Sequence, residues 1–384
     1  MELPRHQRAP RDFAKTFEKN DEQTIASMDR GGHDIPNQAP TTPLRLKSVG
    51  VKRHAIPVLL RDPFGGASTV QLSCSLVAHV DLEPQRRGIH VSRIGDLLAR
   101  LSRQVFSSLP DYAAQLNELI RASQKSLAAS VSVRGVLTYL ENVSGVKEKS
   151  SLEHLELSAE ARFMDNVLTT SSGVGFNHLT ACPCVQETYR HSFGADDPSF
   201  EAVRAQKQIP LITHTQRCLT LLLLSGRREG PTLPELLSCI DSVVVRSQNT
   251  LPREFELLSV YRAHAHPQFL EDVLRDLLLA VYRVLPAISR DGSILVRSSS
   301  MESIHDFDME GEIEFTVREL DRIFASRPEA GGALAPGVGA VLRLPNGAKL
   351  VRNGTVAKIQ KAGRKKPGSP SLTKRSPQAD SRRS

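Results

Sequence analysis

Two closely spaced cysteines in the middle of the chain are the residues best suited to metal chemistry. Cys182 and Cys184 flank Pro183, directly after an apolar, strand-like stretch, so a loop there can hold one thiolate towards a cleft. The Cys-x-Cys spacing is too tight for the usual structural zinc knuckle, and no second cysteine pair follows at ribbon-like spacing. Taken alone, the pair favours buried, unreactive cysteines.

A histidine and a carboxylate further along the chain add to a ligand set of the catalytic type. His214 lies in a polar segment, residues 213–217, at the start of a long apolar run. A lone histidine beside a strand is more often structural than catalytic. His214 becomes a candidate ligand only together with other possible ligands. Glu256 supplies a carboxylate, and one Cys, one His and one Glu leave a coordination position open for water. The three residues therefore form a candidate catalytic metal site.

Two acidic segments near the end of the apolar pattern offer groups for substrate binding and proton transfer. Glu271 falls in the first turn of a helix predicted to begin near Pro267. The helix dipole alone also explains an acid there, an effect of about 0.3–1 kcal/mol. Glu302 and His305 form a compact pair in a segment with too little patterning to be core. A histidine at that place can act as general acid and base near neutral pH.

The order of seven short segments resembles that of the type IB GTP cyclohydrolases and their archaeal relatives. The segments are residues 47–52, 87–93, 180–184, 214–217, 253–256, 269–272 and 302–305. Each segment is weak by itself, but together they are specific, and they span residues 46–320. The resemblance implies a metal-dependent hydrolase that opens the imidazole ring of GTP and releases formate on the way to a pterin.

The resemblance implies a metal centre and a base anchor. Cys182, His214 and Glu256 match the metal ligands of the family, and Glu271 matches the glutamate that accepts hydrogen bonds from the guanine edge. A bound divalent metal would lower the pKa of a water molecule, and the hydroxide would attack C8 of guanine. Fe(II), Mn(II) and Zn(II) all remain open, because one thiolate with nitrogen and oxygen ligands admits each of them.

The remaining matches concern proton transfer and substrate contacts. Glu302 and His305 match active-site positions of the family, where His305, oriented by Glu302, would shuttle protons during ring opening. His90 matches a histidine of a family motif, and we assign it to substrate binding. Arg217 or Arg253 would meet the triphosphate, and the sequence does not choose between them.

Two departures from the family pattern leave a ligand and the product open. The family's Lys-Arg-Pro-Asp-Glu segment reads Pro-Arg-Glu-Phe-Glu at residues 252–256, so Glu254 competes with Glu256 as third ligand. The bacterial His-Asn-Gln-Arg motif reads His-Thr-Gln-Arg, and the stretch between Cys182 and His214 is longer than in the bacterial form. Both features lean towards the archaeal type. We expect 7,8-dihydroneopterin triphosphate for folate and tetrahydrofolate biosynthesis, and the alternative product is 7,8-dihydroneopterin 2',3'-cyclic phosphate.

The elements that must position these residues come as pairs of strands interrupted by pairs of helices. Strands are predicted at residues 68–82, 131–140, 152–163, 174–180, 211–224, 293–298 and 310–317, and helices at 94–105, 112–127, 233–245 and 267–285. The order lacks strict βαβ alternation and predicts an α+β fold with a mainly antiparallel sheet. The resemblance further implies a tunnelling fold, with helices on one face of the sheet and copies associated into an oligomeric barrel. A homotetramer with active sites between subunits is the expected form.

Charge and composition bound the other functional classes. Residues 358–384 carry nine Lys and Arg residues against one acid, Asp380, which accounts for the whole net charge of +8. The rest of the chain is formally neutral, so we expect a solvated tail and no nucleic acid partner. The five cysteines are odd in number, and neither a signal peptide nor an apolar run of about 20 residues is present. We therefore expect a cytoplasmic protein without disulfides or a membrane partner.

The chain divides into four predicted segments. They are a disordered N-terminal extension at 1–45, the cyclohydrolase domain at 46–320, a Gly/Pro-rich segment with a small β-hairpin signal at 321–357, and a basic disordered tail at 358–384. Two competing hypotheses remain. One is a non-catalytic, nucleic-acid-associated protein that uses the tail, and the other is a related tunnelling-fold enzyme that acts on another purine or pterin.

Overall fold

One large sheet runs through the part of the chain that the computed structural model describes. The described residues are 34–142, 150–193, 197–207, 209–226, 231–284, 290–325, 342–343, 349–353 and 356–360. The strands of the large sheet are β1 (Leu46–Arg61), β2 (Thr69–Leu82), β3 (Val105–Phe106), β4 (Ala129–Asn142), β5 (Ser150–Met164), β6 (Val167–Ala181), β7 (Thr215–Ser225), β8 (Val245–Arg246), β9 (Ser293–Met301) and β10 (Met309–Thr316). They lie in the order β10-β9-β7-β6-β5-β4-β2-β1-β3, and β8 pairs with β6 away from this path. The pairings are antiparallel except for the short contact of β1 with β3.

The helices connect these strands and begin at recognisable caps. They are α1 (Val91–Leu101), α2 (Leu109–Gln124), α3 (Pro183–Phe193), α4 (Pro198–Lys207), α5 (Leu233–Val243), α6 (Arg253–Ala265), α7 (Leu270–Val284) and α8 (Val317–Ala325). At the start of α2, the Ser108 hydroxyl accepts the Asp111 N–H at 3.2 Å. At the start of α5, Thr232 and Glu235 form a reciprocal capping box. The start of α5 is the predicted one, whereas α2 begins at Leu109, before the predicted start at 112.

The strand order contains the same topology twice. In the first unit, β1 and β2 are followed by α1 and α2 and then by β4 and β5. In the second unit, β6 and β7 are followed by α5 and α7 and then by β9 and β10, and α5 packs on α7 as α1 packs on α2. The second unit carries three additional helices, α3, α4 and α6. The predicted α+β class with an antiparallel sheet and helices on one face is confirmed.

The face of the sheet beneath the helices is apolar across most of its width. Successive residues of a strand point to opposite faces, and the register aligns one inward row from β2 to β10. This row consists of Leu76, Val133, Ala159, Ser172, Leu224, Ile294 and Phe315. Most of its members belong to the hydrophobic core that also includes the inner sides of α2 and α7. The core therefore lies between this face and the helices.

Two close contacts fix the central helices against the sheet. The fully buried Asn117 of α2 donates from Nδ2 to the carbonyl oxygens of Ala129 and Ala161, at 3.0 and 2.8 Å. In β10, a Cβ atom on Gly311 would lie 2.7 Å from the Leu274 Cδ1 atom of α7. A glycine at that position therefore allows α7 to approach the sheet.

A two-residue turn joins the two units. Met164 of β5 pairs with Val167 of β6, and the intervening Asp165 and Asn166 have φ angles of 50° and 62°. Two consecutive left-handed residues of these types are typical of a tight hairpin turn whose twist matches that of the strands. The two units are thus neighbours in one continuous sheet.

The elements that the sequence did not predict are β1, α3, α4, α6 and α8. β1 reads poorly as a strand because it carries charged residues such as Lys47 and Lys52 and pairs along its full length only with β2. In α6 the apolar residues do not share one side, since Leu258 is buried whereas Leu257 is 71% exposed. A periodicity search therefore misses both elements.

The described structure extends beyond both predicted ends of the folded part. The backbone N–H of Arg87 donates to the carbonyl oxygens of Pro36 and Gln38, so ordered packing begins before Leu46. After α8, the strands β11 (Leu342–Arg343), β12 (Lys349–Asn353) and β13 (Val356–Gln360) form a small antiparallel sheet, and β13 runs past the predicted start of the tail at 358. The Asn-Gly signal at 346–347 and the predictions for 1–33, 326–341 and 361–384 lie outside the described residues. Among the described helices, none has the length and apolar character needed to cross a membrane.

Candidate active site

The predicted site residues of the second unit converge at one end of the sheet. β6 ends at Ala181, β7 begins at Thr215 and β9 ends at Met301, and these termini lie side by side because the strands are antiparallel neighbours. The start of α7 lies at the same end, where the Gln268 N–H donates to the Ala181 carbonyl at 3.1 Å. Segments distant in sequence therefore meet at this edge.

The structure brings Cys182 and His214 together. The Cys182 N–H donates to the His214 carbonyl at 3.2 Å, and the Thr213 hydroxyl donates to the Cys182 carbonyl at 2.7 Å. Cys182 is partly exposed and Cys184, in the first turn of α3, is exposed. The alternative of buried, unreactive cysteines therefore does not describe this pair.

Buried cysteines elsewhere in the chain provide a contrast. Cys74, Cys218 and Cys239 lie in the interior, and burial raises the pKa of the Cys74 thiol to about 11. Burial also raises the pKa values of Cys218 and Cys239. These three thiols stay protonated at neutral pH and fill core positions.

The ring of His214 is oriented by a neighbouring serine. Its Nδ1 atom lies 3.2 Å from the Ser303 hydroxyl oxygen. This contact engages one ring nitrogen and leaves Nε2 for another partner, which is the usual arrangement around a metal-binding histidine. Ser303 lies between Glu302 and His305, so the same contact brings the predicted proton-transfer segment next to His214.

A brace of polar side chains fixes α6 and α3 beside the segment that leads to His214. The buried Gln186 donates from Nε2 to the carbonyl oxygens of Leu211 and His264, at 3.1 and 2.6 Å. His264 in turn places Nε2 at 3.1 Å from the Thr213 carbonyl. The last turn of α6 is thereby tied to the residue before His214.

Glu256 lies in the first turn of α6 and is exposed. It precedes His264 by about two helical turns, so both side chains lie within the same half of the helix surface. In the part of the chain that the structure describes, no three His, Cys, Asp or Glu side chains lie close enough together to hold a metal. The side chain of the competing Glu254 lies outside the described part. Cys182 and His214 are thus juxtaposed, and the third ligand remains a prediction.

Glu271 lies in the first turn of α7, as the sequence predicts. The neighbouring Asp272 accepts the Phe269 N–H through Oδ2 at 3.1 Å, so Asp272 serves as the helix cap. Glu271 is exposed at the end of the sheet where Cys182 lies. Asp272 therefore makes the capping hydrogen bond, the helix dipole still favours an acid at Glu271, and the carboxylate of Glu271 is exposed to a ligand.

The predicted acid/base pair lies between β9 and β10, but its two members do not touch. Glu302 is half-buried, and its Oε1 atom accepts a hydrogen bond from the Ser300 hydroxyl at 2.7 Å. His305 is exposed and stacks on Phe307, with ring centroids 5.0 Å apart and an interplanar angle of 8°. Ser300, and not His305, is the partner of Glu302 in this structure.

The predicted substrate contacts lie in three different places. Arg253 is exposed at the first position of α6, on the same turn as Glu256. Arg217 is exposed on β7 and pairs with Leu179, on the opposite face of the sheet from its buried neighbour Cys218. Arg217 also pairs with Met301 of β9 and so lies at the converging strand ends.

His90 lies at the opposite end of the sheet, between β2 and α1. Its backbone N–H donates to Gln124 Oε1 at 2.9 Å, and Gln124 Nε2 donates back to the His90 carbonyl at 3.0 Å. Burial, reinforced by Arg93, lowers the pKa of His90, although Asp34 opposes this at 3.5 Å. Within one chain, His90 is therefore not brought together with the other predicted site residues.

Sequence reasoning missed a set of buried polar residues below the converging ends. On the inward face, alternate residues of β6, β7 and β9 are polar there: His178, Thr180, Cys218, Thr220, Ser298 and Ser300. His178 Nε2 lies 2.7 Å from the Thr220 hydroxyl, which lies 2.6 Å from that of Ser298. Burial lowers the pKa of His178 to about 4, so this histidine is neutral at pH 7. The signal was polar alternation at i and i+2, which only the strand register places on the inner face.

Comparisons with known proteins point to one family. The family model described as "Type I GTP cyclohydrolase folE2" matches residues 33–310. A protein named GTP cyclohydrolase MptA from Thermoplasma acidophilum is 26% identical over 294 residues, covering 76% of this chain and 97% of that protein. The MptA of Methanothermobacter thermautotrophicus is 27% identical over 304 residues, with 75% and 94% coverage. Among solved structures, a uricase from Arthrobacter globiformis matches with 8% identity and a TM-score of 0.40, over 70% of this chain and 93% of that chain.

Proposed function

Because this chain belongs to the type I GTP cyclohydrolase folE2 family, we propose that it is a hydrolase that opens the guanine imidazole ring of GTP and releases formate. The observation that carries the proposal is the meeting of Cys182, His214 and the 302–305 segment at one end of the second unit. Those groups are the thiolate, imidazole and carboxylate that metal-assisted hydrolysis requires.

We infer that Cys182, His214 and Glu256 hold a divalent metal. The donor set fits such an ion, since Cys182 is accessible beside His214 and the Ser303 contact leaves His214 Nε2 available. Glu256 lies on α6, whose last turn is tied to Thr213, the residue before His214, through His264. When bound, the metal supplies Lewis-acid activation of the attacking water. Fe(II), Mn(II) and Zn(II) are the candidates.

Glu271 is the proposed anchor for the guanine base. An ionised carboxylate can accept hydrogen bonds from N1–H and the 2-amino group together. Asp272 makes the capping bond of α7, so the Glu271 carboxylate is not needed for that bond. Arg253 is the preferred contact for the triphosphate, because it lies beside Glu256 at a helix N-terminus, where backbone N–H groups also favour an anion. Arg217 is the alternative.

Proton transfer falls to the segment between β9 and β10. His305 is exposed near the candidate ligands and can donate and accept protons as the ring opens. Glu302 is held by Ser300 on the same segment and supplies a fixed carboxylate. We assign the ring-opening proton transfers to these two residues.

A second candidate product follows from the relatives. Four proteins named GTP cyclohydrolase MptA are 24–27% identical to this chain. We expect the archaeal type to give the 2',3'-cyclic phosphate. Phosphatase treatment separates the two outcomes by what stays on the pterin. A linear triphosphate is converted to the free pterin, whereas a cyclic phosphate, formed with release of diphosphate, keeps its phosphate because it resists a monoesterase. Mass spectrometry of the product then identifies it.

We further propose that the chain works as a homo-oligomer in the cytoplasm, with a tetramer as the expected form. β10 has no strand on its outer edge among the described residues, and β1 meets β3 only at Leu59 and Leu60. Unpaired edges of this length are templates for pairing with another copy. Because His90 lies at the far end of the sheet, a substrate contact by His90 would come from a neighbouring subunit. Light scattering of the purified protein measures the assembly.

The test of the proposed function is incubation of the protein with GTP after loading with Fe(II), Mn(II) or Zn(II) in turn. Formate release and pterin fluorescence after oxidation should appear together with at least one metal. The absence of both products with all three metals would refute the proposal.

Removal of residues 361–384 should leave turnover within about twofold, since a tail of this composition rarely supports a packed site. If the truncation abolishes function while Cys182→Ala does not, the result favours the hypothesis of a non-catalytic, nucleic-acid-associated protein.

A further inference from the structure

A row of buried polar side chains crosses β6, β7 and β9 directly below Glu302. The Thr180 hydroxyl lies 3.4 Å from the Cys218 sulfur, and Cys218 is the direct cross-strand neighbour of Ser300. The Ser300 hydroxyl then donates to Glu302 Oε1 at 2.7 Å. The row therefore runs from the strand that delivers Cys182 to the predicted acid/base segment.

The position of Ser300 calls for an explanation because an aliphatic side chain would suit it better as a core residue. Ser300 is 1% exposed, and two residues of the same strand that share its face, Ile294 and Val296, are fully buried and apolar. A buried hydroxyl is unfavourable unless it finds a hydrogen-bond partner. The short bond from Ser300 ends on the carboxylate of Glu302, the first residue after β9.

We propose that Ser300 is a positioning residue that fixes the Glu302 carboxylate for proton transfer, an inference that rests on the proposed function. An ionised carboxylate only accepts hydrogen bonds, so Ser300 must be the donor and its oxygen is left to accept from the Cys218 thiol. Bonds of this charged type are short and roughly twice as strong as neutral ones. With Oε1 engaged by Ser300, Oε2 of Glu302 is the oxygen left for proton transfer in this proposal.

The same strand offers a matched control in Ser298. It points to the same face as Ser300 and is also 1% exposed. Its hydroxyl bonds to Thr220, and through Thr220 to His178. None of these partners is a predicted site residue. Ser300→Ala and Ser298→Ala therefore remove the same atom from the same strand, and only the first removes a bond to Glu302.

The experiment compares the two variants in the metal-loaded enzyme with GTP. For Ser300→Ala we expect kcat to fall by about tenfold to a hundredfold, with KM within about twofold and unchanged metal content. For Ser298→Ala we expect kcat within about twofold of the wild type, with a similar loss of thermal stability. Ser300→Thr keeps the hydroxyl and should restore most of kcat. In a Glu302→Gln background, Ser300→Ala should have little further effect, because the two residues act as one unit.

Specific outcomes would overturn the inference. Equal losses of kcat in both serine variants would make the row purely structural, and a full additional loss in the Glu302→Gln background would show that Ser300 does not act through Glu302. Crystal structures give a readout that does not need turnover: Glu302 should be displaced in Ser300→Ala and unmoved in Ser298→Ala. An unmoved Glu302 in both structures contradicts the inference. A wild type that is inactive towards GTP while Glu302 shifts as expected would instead count against the proposed function.

Discussion

The two units of the sheet share a topology but differ at one end. In the first unit, β1 and β2 are joined by residues 62–68, a tight turn in which Asp62 accepts the Phe64 N–H and the Ser68 hydroxyl. In the second unit, the equivalent connection between β6 and β7 spans residues 182–214 and contains α3 and α4. Cys182 and His214 are the first and last residues of that longer connection. The candidate site therefore lies where the second unit has the longer connection.

The inner faces of the two units differ in the same way. The inner face of the first unit is apolar over most of its width and becomes polar only at Ser151 and Glu153, at the start of β5. Its buried Asn117 holds α2 against β4 and β5. The second unit changes from apolar residues such as Leu222 and Val296 to hydroxyls and a histidine towards the site. Both units contribute to the hydrophobic core, and the second unit also carries a polar set beneath the candidate site. Mutations in the two units should therefore have separable effects.

Removal of a candidate ligand should have the largest effect on turnover. For Cys182→Ala and His214→Ala we expect loss of bound metal and a fall in kcat/KM on the order of a thousandfold or more, because the attacking water is no longer activated. Both variants should stay folded, since a catalytic metal contributes less to folding than a structural one. Metal analysis and GTP turnover of the same samples measure this. Cys184→Ala is the control and should be milder, and the ligand assignment is wrong if it alone loses the metal.

Glu271→Gln should have the second largest effect on turnover. We expect kcat/KM to fall by about tenfold to several hundredfold, because an amide cannot accept hydrogen bonds from both N1–H and the 2-amino group of guanine. Metal content should not change. Asp272→Asn is the matched neighbour: it weakens the cap on Phe269 and should lower stability by about 1 kcal/mol with near-normal kinetics. Steady-state rates and thermal melts distinguish them. Near-wild-type rates for Glu271→Gln would remove this residue from the site.

Ser303→Ala should have a moderate effect through His214. Loss of the contact with Nδ1 frees the ring to rotate, and we expect metal affinity to drop by about tenfold to a hundredfold. Competition with a chromophoric chelator measures the affinity without any turnover. Ser299→Ala, on the opposite face of β9, is the control. Equal affinities for the two variants would contradict the orienting role.

Asn117→Ala in the first unit should leave turnover nearly unchanged. The change leaves the carbonyl groups of Ala129 and Ala161 without their buried partner, and we expect a loss of about 2–4 kcal/mol in the free energy of unfolding. Denaturant titration measures the loss, and kcat/KM with GTP at a temperature where the variant is folded provides the comparison. A loss of kcat/KM without a loss of stability would contradict the prediction that Asn117 serves packing and not the candidate site.

Much of the fold could be predicted from the sequence because most strands are buried on one face only. Residues such as Leu72, Cys74 and Leu76 alternate with exposed ones, and this alternation marks β2 directly. α6 could not be found in this way because it packs through an irregular set of residues and is held by the polar contacts of Gln186 and His264. Its position depends on partners that are distant in sequence.

The candidate site, like the fold, could be predicted only in part from the sequence. Motifs identified Cys182, His214 and Glu271 without any structure, since each sits next to a predictable strand or helix end. The contacts of Ser300 with Glu302 and of Ser303 with His214 could not be predicted. They depend on the register of β6, β7 and β9 and on the path of the loop after β9, which a one-dimensional pattern does not contain.

The turn at Asp165 and Asn166 helps to explain why the second unit tolerates buried polar residues on its inner face. Because two residues join β5 to β6, the two units meet at an effective concentration set by a very short tether, and not by the amount of protein in the cell. The site-bearing unit always folds against an apolar partner at a fixed ratio of one to one. Hydroxyls such as those of Thr220 and Ser300 can therefore occupy its inner face, where an independent four-stranded unit would need aliphatic residues to fold alone.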